Sequence, residues 1–177
     1  MPAKTRSRRL ARDAAPPGVA SSIDAFRRIL RALRLAERRT QAEAGLSAAQ
    51  LFVLHALDDG NETSLSELAE RTMTDRSSVA AVVDRLLDAR LVVRGVSRVD
   101  RRRAAIVLTA AGRGVLARAP EPPTVLLMAA VGSLGPAQRA ALATGLTALA
   151  AAMGVDDEPA GMLFDDVRAT TARGASP

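Results

Sequence analysis

Two short runs constrain this chain more than anything else in it. Leu91-Val92-Val93-Arg94-Gly95-Val96 and Ala104-Ala105-Ile106-Val107-Leu108-Thr109 are β-branched and strand-like, and Ser97 to Arg103 between them are polar and charged. That is the pattern of a β-hairpin with a charged tip. The surrounding sequence favours helix. Hydrophobic residues make up 48% of it but aromatics only 2%, namely Phe26, Phe52 and Phe164, with no Tyr or Trp. A core built from Leu, Val and Ala, in Ala- and Leu-rich runs, is a helical core. The hairpin therefore sits inside a mainly α chain.

What precedes the hairpin decides its meaning. Ser21 or Ser22 can cap a first helix, along which Ile23, Phe26, Ile29, Leu30, Leu33 and Leu35 make an apolar stripe as far as about Ala44, before Gly45. Ser47 to Gln50 is a capping-box pattern opening a second helix with Leu51, Val53, Leu54 and Leu57 inward. Ser64, with Glu67 three residues on, opens a short third helix whose buried face is Leu65, Leu68 and Ala69. Thr72-Met73-Thr74-Asp75 connects it to a fourth, running to about Ala89 with Val79, Val82, Val83 and Leu86 inward. Two short helices joined by a tight turn are a helix-turn-helix candidate, and a hairpin directly after one is a wing. The expected fold is mainly α with a small β-hairpin wing: a winged helix-turn-helix with N- and C-terminal dimerisation helices. Residues 1–21 read as a disordered basic arm, 22–45 as a dimerisation helix and 46–109 as the DNA-binding domain. Residues 110–153 read as further dimerisation helices, interrupted at Pro120, Pro122 and Pro123. Residues 154–177 read as a flexible acidic tail with one apolar patch, Met162-Leu163-Phe164.

Charge points the same way. The chain has 25 Lys+Arg against 19 Asp+Glu, and Lys4 is the only Lys. Residues 90–103 hold six Arg (90, 94, 98, 101, 102 and 103) against one acid, Asp100, whereas opposite charges nearly cancel over 46–112 as a whole. A basic tip beside an amphipathic helix pair suits a duplex backbone. Asp100 can hold one guanidinium in a fixed rotamer, so that less entropy is lost when it enters a narrow minor groove. Without cysteine, thiol redox sensing and Cys-based metal sites are excluded. No apolar run reaches the length that crosses a bilayer, and the N-terminus lacks the apolar stretch of a secretory signal, so the expectation is a cytoplasmic protein with no membrane partner. The single histidine, His55, makes neither a zinc site nor a triad, and Gly112 with Gly114 is no phosphate loop. No cofactor and no enzymatic activity are expected.

Asp100-Arg101-Arg102, followed by the apolar run and Leu108-Thr109-Ala110-Ala111-Gly112, resembles the wing signature of the multiple-antibiotic-resistance regulator (MarR) family. Leu65-Ser66-Glu67-Leu68-Ala69, Ser77-Ser78-Val79 and Val83-Asp84-Arg85-Leu86 resemble its helix-turn-helix. The resemblance implies a winged-helix homodimer on double-stranded DNA, with the fourth helix in the major groove and the wing in the minor groove. It implies Arg76, Ser77, Ser78 and Arg85 as DNA-facing residues of that helix. On the wing it implies Arg102 as the groove arginine and Asp100 as its support, among Arg98, Arg101 and Arg103. It also implies a small aromatic anion as effector, with Arg34, Arg38, Phe52 and His55 as candidates to hold it. Arg90 departs from the pattern, standing at a helix end where the family often has Gly. Two DNA-binding functions compete at this point. One is a sequence-specific dimeric regulator of repressor type; the other is a non-specific architectural or nucleoid-type binder leaning on the basic N-terminal arm.

Overall fold

The computed structural model describes residues 16–96, 104–157 and 161–165. They form seven helices and one hairpin: α1 (Val19–Ala44), α2 (Ala48–Ala56), α3 (Leu65–Thr72), α4 (Arg76–Asp88), β1 (Val92–Val96), β2 (Ala104–Leu108), α5 (Ala110–Leu116), α6 (Pro123–Ser133) and α7 (Pro136–Met153). The chain divides within α1, residues up to Leu35 forming one unit and Ala36 onward another. The fold is mostly helical with a small antiparallel hairpin, as expected. The expected basic arm lies outside the described residues as far as residue 15. α1 starts at Val19, ahead of Ser21 and Ser22, which therefore do not cap it. Gly18 turns the chain at φ 87°, a conformation that suits glycine, and the Ser21 hydroxyl donates back to its carbonyl at 2.9 Å.

Local chemistry sets the helix starts. Ser47 and Ser64 each accept from the backbone N–H three residues on, and Gln50 and Glu67 reach back to the cap N–H groups, so both capping boxes form. Asp75 caps α4 and Thr109 caps α5. The prolines also act as punctuation. α5 ends at Leu116, ahead of Pro120, and Pro123 and Pro136 open α6 and α7 at first-turn positions where a missing N–H costs nothing.

The core lies in the second unit. Leu51, Val53 and Leu54 of α2 and Leu57 just after it meet Leu68 of α3 and the Val79, Val82, Val83 and Leu86 stripe of α4, and all nine are essentially inaccessible. Leu91, Val92, Ile106 and Leu108 close it from the hairpin. The strands pair antiparallel from Val92 opposite Leu108 to Val96 opposite Ala104. Thr63 adds an isolated rung on the other edge of β2, bridging Ile106 with hydrogen bonds of 2.8 and 3.2 Å just before α3 begins.

Two helix ends use a left-handed residue that is not glycine: Met73 (φ 50°) between α3 and α4, and Arg90 (φ 57°) between α4 and β1. The left-handed residue lets the chain reverse and its N–H satisfy the last helical carbonyls, at a steric cost that glycine would avoid. The departure at Arg90 is thus a real backbone constraint. It is held by Thr109, whose hydroxyl donates toward the Arg90 and Leu91 carbonyls at 2.9 and 3.1 Å.

Candidate nucleic-acid interface

The residues expected to read DNA on α4 fall on different sides of it. With Val79, Val82, Val83 and Leu86 inward, the 3.6-residue period turns Ser77, Ala81, Asp84 and Asp88 outward. Arg76 stands on one flank, and Ser78 and Arg85, two turns apart, on the other.

At the start of the helix Asp75 is the organiser. One carboxylate oxygen accepts from the Ser78 N–H at 2.9 Å and also from the Ser77 hydroxyl; the other accepts from the Ser78 hydroxyl at 2.6 Å. These bonds, first Ser77, then the Ser78 side chain and backbone, hold the Asp75 carboxyl far below the usual carboxylate range. A carboxylate only accepts, so both serine hydroxyls spend their protons on it and turn lone pairs outward. Oriented so, they suit the amino groups of cytosine or adenine in a major groove better than phosphate oxygens.

Arg76 flanks an open groove of about 730 Å³ between α3, α4 and the hairpin, which it lines together with Arg94, Glu67 and Glu70. Arg94 is a functional candidate that the sequence reading left out. From β1 it donates to the Asp84 carboxylate at 2.8 Å and so offsets the acid on the outward face of α4. Arg94 lies two residues past the buried Val92 and opposite the buried Ile106, so it shares their face of the hairpin, the face turned to the helices. Asp84 and Arg85 are neighbours in the helix, point apart and pair separately. Asp84 takes Arg94, and Arg85 takes Asp165.

The wing tip, with Arg98, Asp100, Arg101, Arg102 and Arg103, lies outside the described residues. Of the effector candidates, Arg34 and Arg38 are exposed on α1, His55 is exposed in the last turn of α2, and Phe52 is buried at 4% exposure. None of the four lines the groove at Arg76 and Arg94. Among the described residues, the buried hydroxyls of Thr40 and Thr124 have no hydrogen-bond partner. Among the described residues there is no group of three potential metal ligands, and no helix is long and apolar enough to cross a membrane.

The family model described as MarR family matches residues 44–103, which span α2, α3, α4, β1 and the hairpin tip. Among solved structures, the chain is similar to a MepR-like protein complexed with pseudoligands, at 21% identity and TM-score 0.52 over 77% of this chain and 96% of that one. It is similar to the PcaV transcriptional regulator from Streptomyces coelicolor in complex with its natural ligand, at 23% identity and TM-score 0.51 over 80% of this chain and 99% of that one. A third is the MarR family transcription regulator SP03579, at 18% identity and TM-score 0.51 over 77% and 90%. At these identities the likeness shows the fold, a MarR-type winged helix. No curated protein matches the sequence.

Proposed function

With residues 44–103 a MarR-family segment, we propose that the chain is a dimeric, sequence-specific DNA-binding repressor acting in the cytoplasm. The observation that carries this reading is the α4 surface. Asp75 holds the hydroxyls of Ser77, on the outward face, and Ser78, on the flank, and Arg94 ties the hairpin to Asp84 on the same helix. In this reading Ser77, Ser78 and Arg76 meet base edges and the neighbouring backbone. Arg98, Arg101, Arg102 and Arg103, with Asp100 in support, carry the hairpin tip into the minor groove.

A second copy of the chain is the proposed partner. α7 buries none of its residues, and Leu142, Leu146 and Leu149 lie along it 37–44% exposed. In the first unit Val19, Ile23 and Leu30 are also exposed, at 42–46%. Apolar stripes of this kind are what a two-fold interface covers. A small-molecule effector, as in the ligand-bound PcaV structure, is carried over as part of the proposal. Arg38 and His55 can meet an anion at the surface, whereas Phe52 is reached only by opening the core.

The test is selection of duplexes from a randomised library, followed by competition with unrelated DNA. Specific binding survives a large excess of competitor. Binding that competitor abolishes equally for all sequences gives the architectural alternative instead. Arg102→Ala is expected to weaken binding to every duplex alike and to lower the salt dependence by about one counterion. An unchanged affinity and salt slope would remove Arg102 from the interface.

A further inference from the structure

Arg85 is already occupied. Its Nε donates to the Ala81 carbonyl at 3.2 Å, and its terminal amino group donates to the carboxylate of Asp165, eighty positions further on. Asp165 belongs to a short segment, residues 161–165, that returns to α4 after α7 has ended at Met153. Met162 anchors it, 6% exposed within the same core cluster as Val79, Val82 and Leu86. A tight turn follows, in which the Asp165 N–H donates to the Met162 carbonyl at 3.1 Å. At its other end the backbone passes close to the first turn of the helix: a methyl group on Gly161 would stand 3.9 Å from the Ser78 hydroxyl. The segment thus spans the flank of α4 from Ser78 to Arg85. The ion pair is partly shielded, its two side chains 34% and 25% exposed.

We propose that residues 161–165 are an intramolecular strap that competes with DNA for the Ser78–Arg85 flank of α4. The inference rests on the DNA-reading role of that helix. A carboxylate presents to a guanidinium the charge and the acceptor atoms that a phosphate or a guanine edge would present, so Asp165 and a duplex cannot hold Arg85 together. The strap also lies within an acidic stretch of the sequence. Residues 154–177 contain five acids, Asp156, Asp157, Glu158, Asp165 and Asp166, against Arg168 and Arg173. The apolar anchor makes the contact more than a surface pair, because Met162 must leave the core, or the turn after it must rearrange, before Arg85 is released.

The experiment compares the full chain with Asp165→Asn and Asp165→Ala. It uses duplexes that each protein selects from a randomised library, and a scrambled duplex of equal length. The strap predicts that both variants bind roughly two- to five-fold tighter than the unaltered chain, the worth of a partly exposed ion pair. The advantage narrows as salt is raised, since salt screens the pair that was removed. Met162→Ser, which unseats the anchor, shifts affinity in the same direction; if circular dichroism shows that this variant has lost its fold, the Asp165 variants decide alone. Binding by the variants but not by the unaltered chain is the strongest form of the result. Equal or weaker binding by Asp165→Asn and Asp165→Ala overturns the strap and makes the segment a clip on the core. If no protein in the set binds any duplex, the DNA reading itself fails, and the strap with it.

Discussion

Gly112 shows how much a single hydrogen atom can matter in this fold. A Cβ built there would stand 2.1 Å from the carbonyl oxygen of Leu91. That carbonyl cannot retreat, because it accepts from the Thr109 N–H at 3.0 Å and from the Thr109 hydroxyl at 3.1 Å. Thr109 in turn caps α5 by accepting from the Gly112 N–H at 3.0 Å. The Leu-Thr-x-x-Gly signature at 108–112 is therefore a joint. Threonine binds the end of β2 to the end of α4, and glycine lets α5 lie against that joint. Gly112→Ala should cost roughly 1–3 kcal/mol, the usual range for overpacking, toward its upper end because the clash is with backbone. Urea unfolding monitored by circular dichroism measures it. A loss below about 0.5 kcal/mol would mean the joint is loose.

At the scale of elements, α4 depends on its first turn. Asp75→Ala removes the cap and should cost about 1 kcal/mol near neutral pH. The sign of its pH dependence follows from the lowered Asp75 pKa. A carboxyl depressed in the folded state stabilises fully above its ordinary value of 3.8 and loses that contribution as pH falls toward the folded value. The difference between wild type and Asp75→Ala should thus be flat from neutral to mildly acidic solution and shrink only in strong acid. Unfolding midpoints across pH test this, and a difference already shrinking near neutrality would contradict it. Elements of this kind were legible in the sequence because their chemistry is local: Ser47 with Gln50 and Ser64 with Glu67 lie within four residues, and the α4 stripe repeats at helical spacing. The pairing of Arg94 with Asp84 was not legible, since only the strand register brings β1 alongside α4. Nor was Asp165 on Arg85, where eighty residues separate the partners and a tertiary fold must bring them together. The early start of α1 was missed because Pro16, Pro17 and Gly18 read as coil, whereas Gly18 uses its positive φ to turn directly into the helix.

For the whole molecule, the uncovered surface is the feature that asks for a partner. The second unit buries its core among α2, α3, α4, the hairpin and Met162, yet α7 contributes nothing to it and shows leucine at spacings of four and three. Leu146→Asp, at the middle of that stripe, appears twice in a two-fold interface, so its effect is felt twice. It should weaken self-association at least about thirty-fold, the scale of one interface hot spot. Light scattering across a dilution series reads the change, and an unaltered dimer would send the search for the interface to another face. The Thr63 rung bears on how such a dimer would handle DNA. Thr63 is hydrogen-bonded to Ile106 in the hairpin, and the next residue, Ser64, is the cap that starts α3. Hairpin and α3 are in effect hinged on one pin. In the proposed complex a twist applied at the wing would be delivered to the first turn of α3, so the hairpin and the helix pair would move as a single lever.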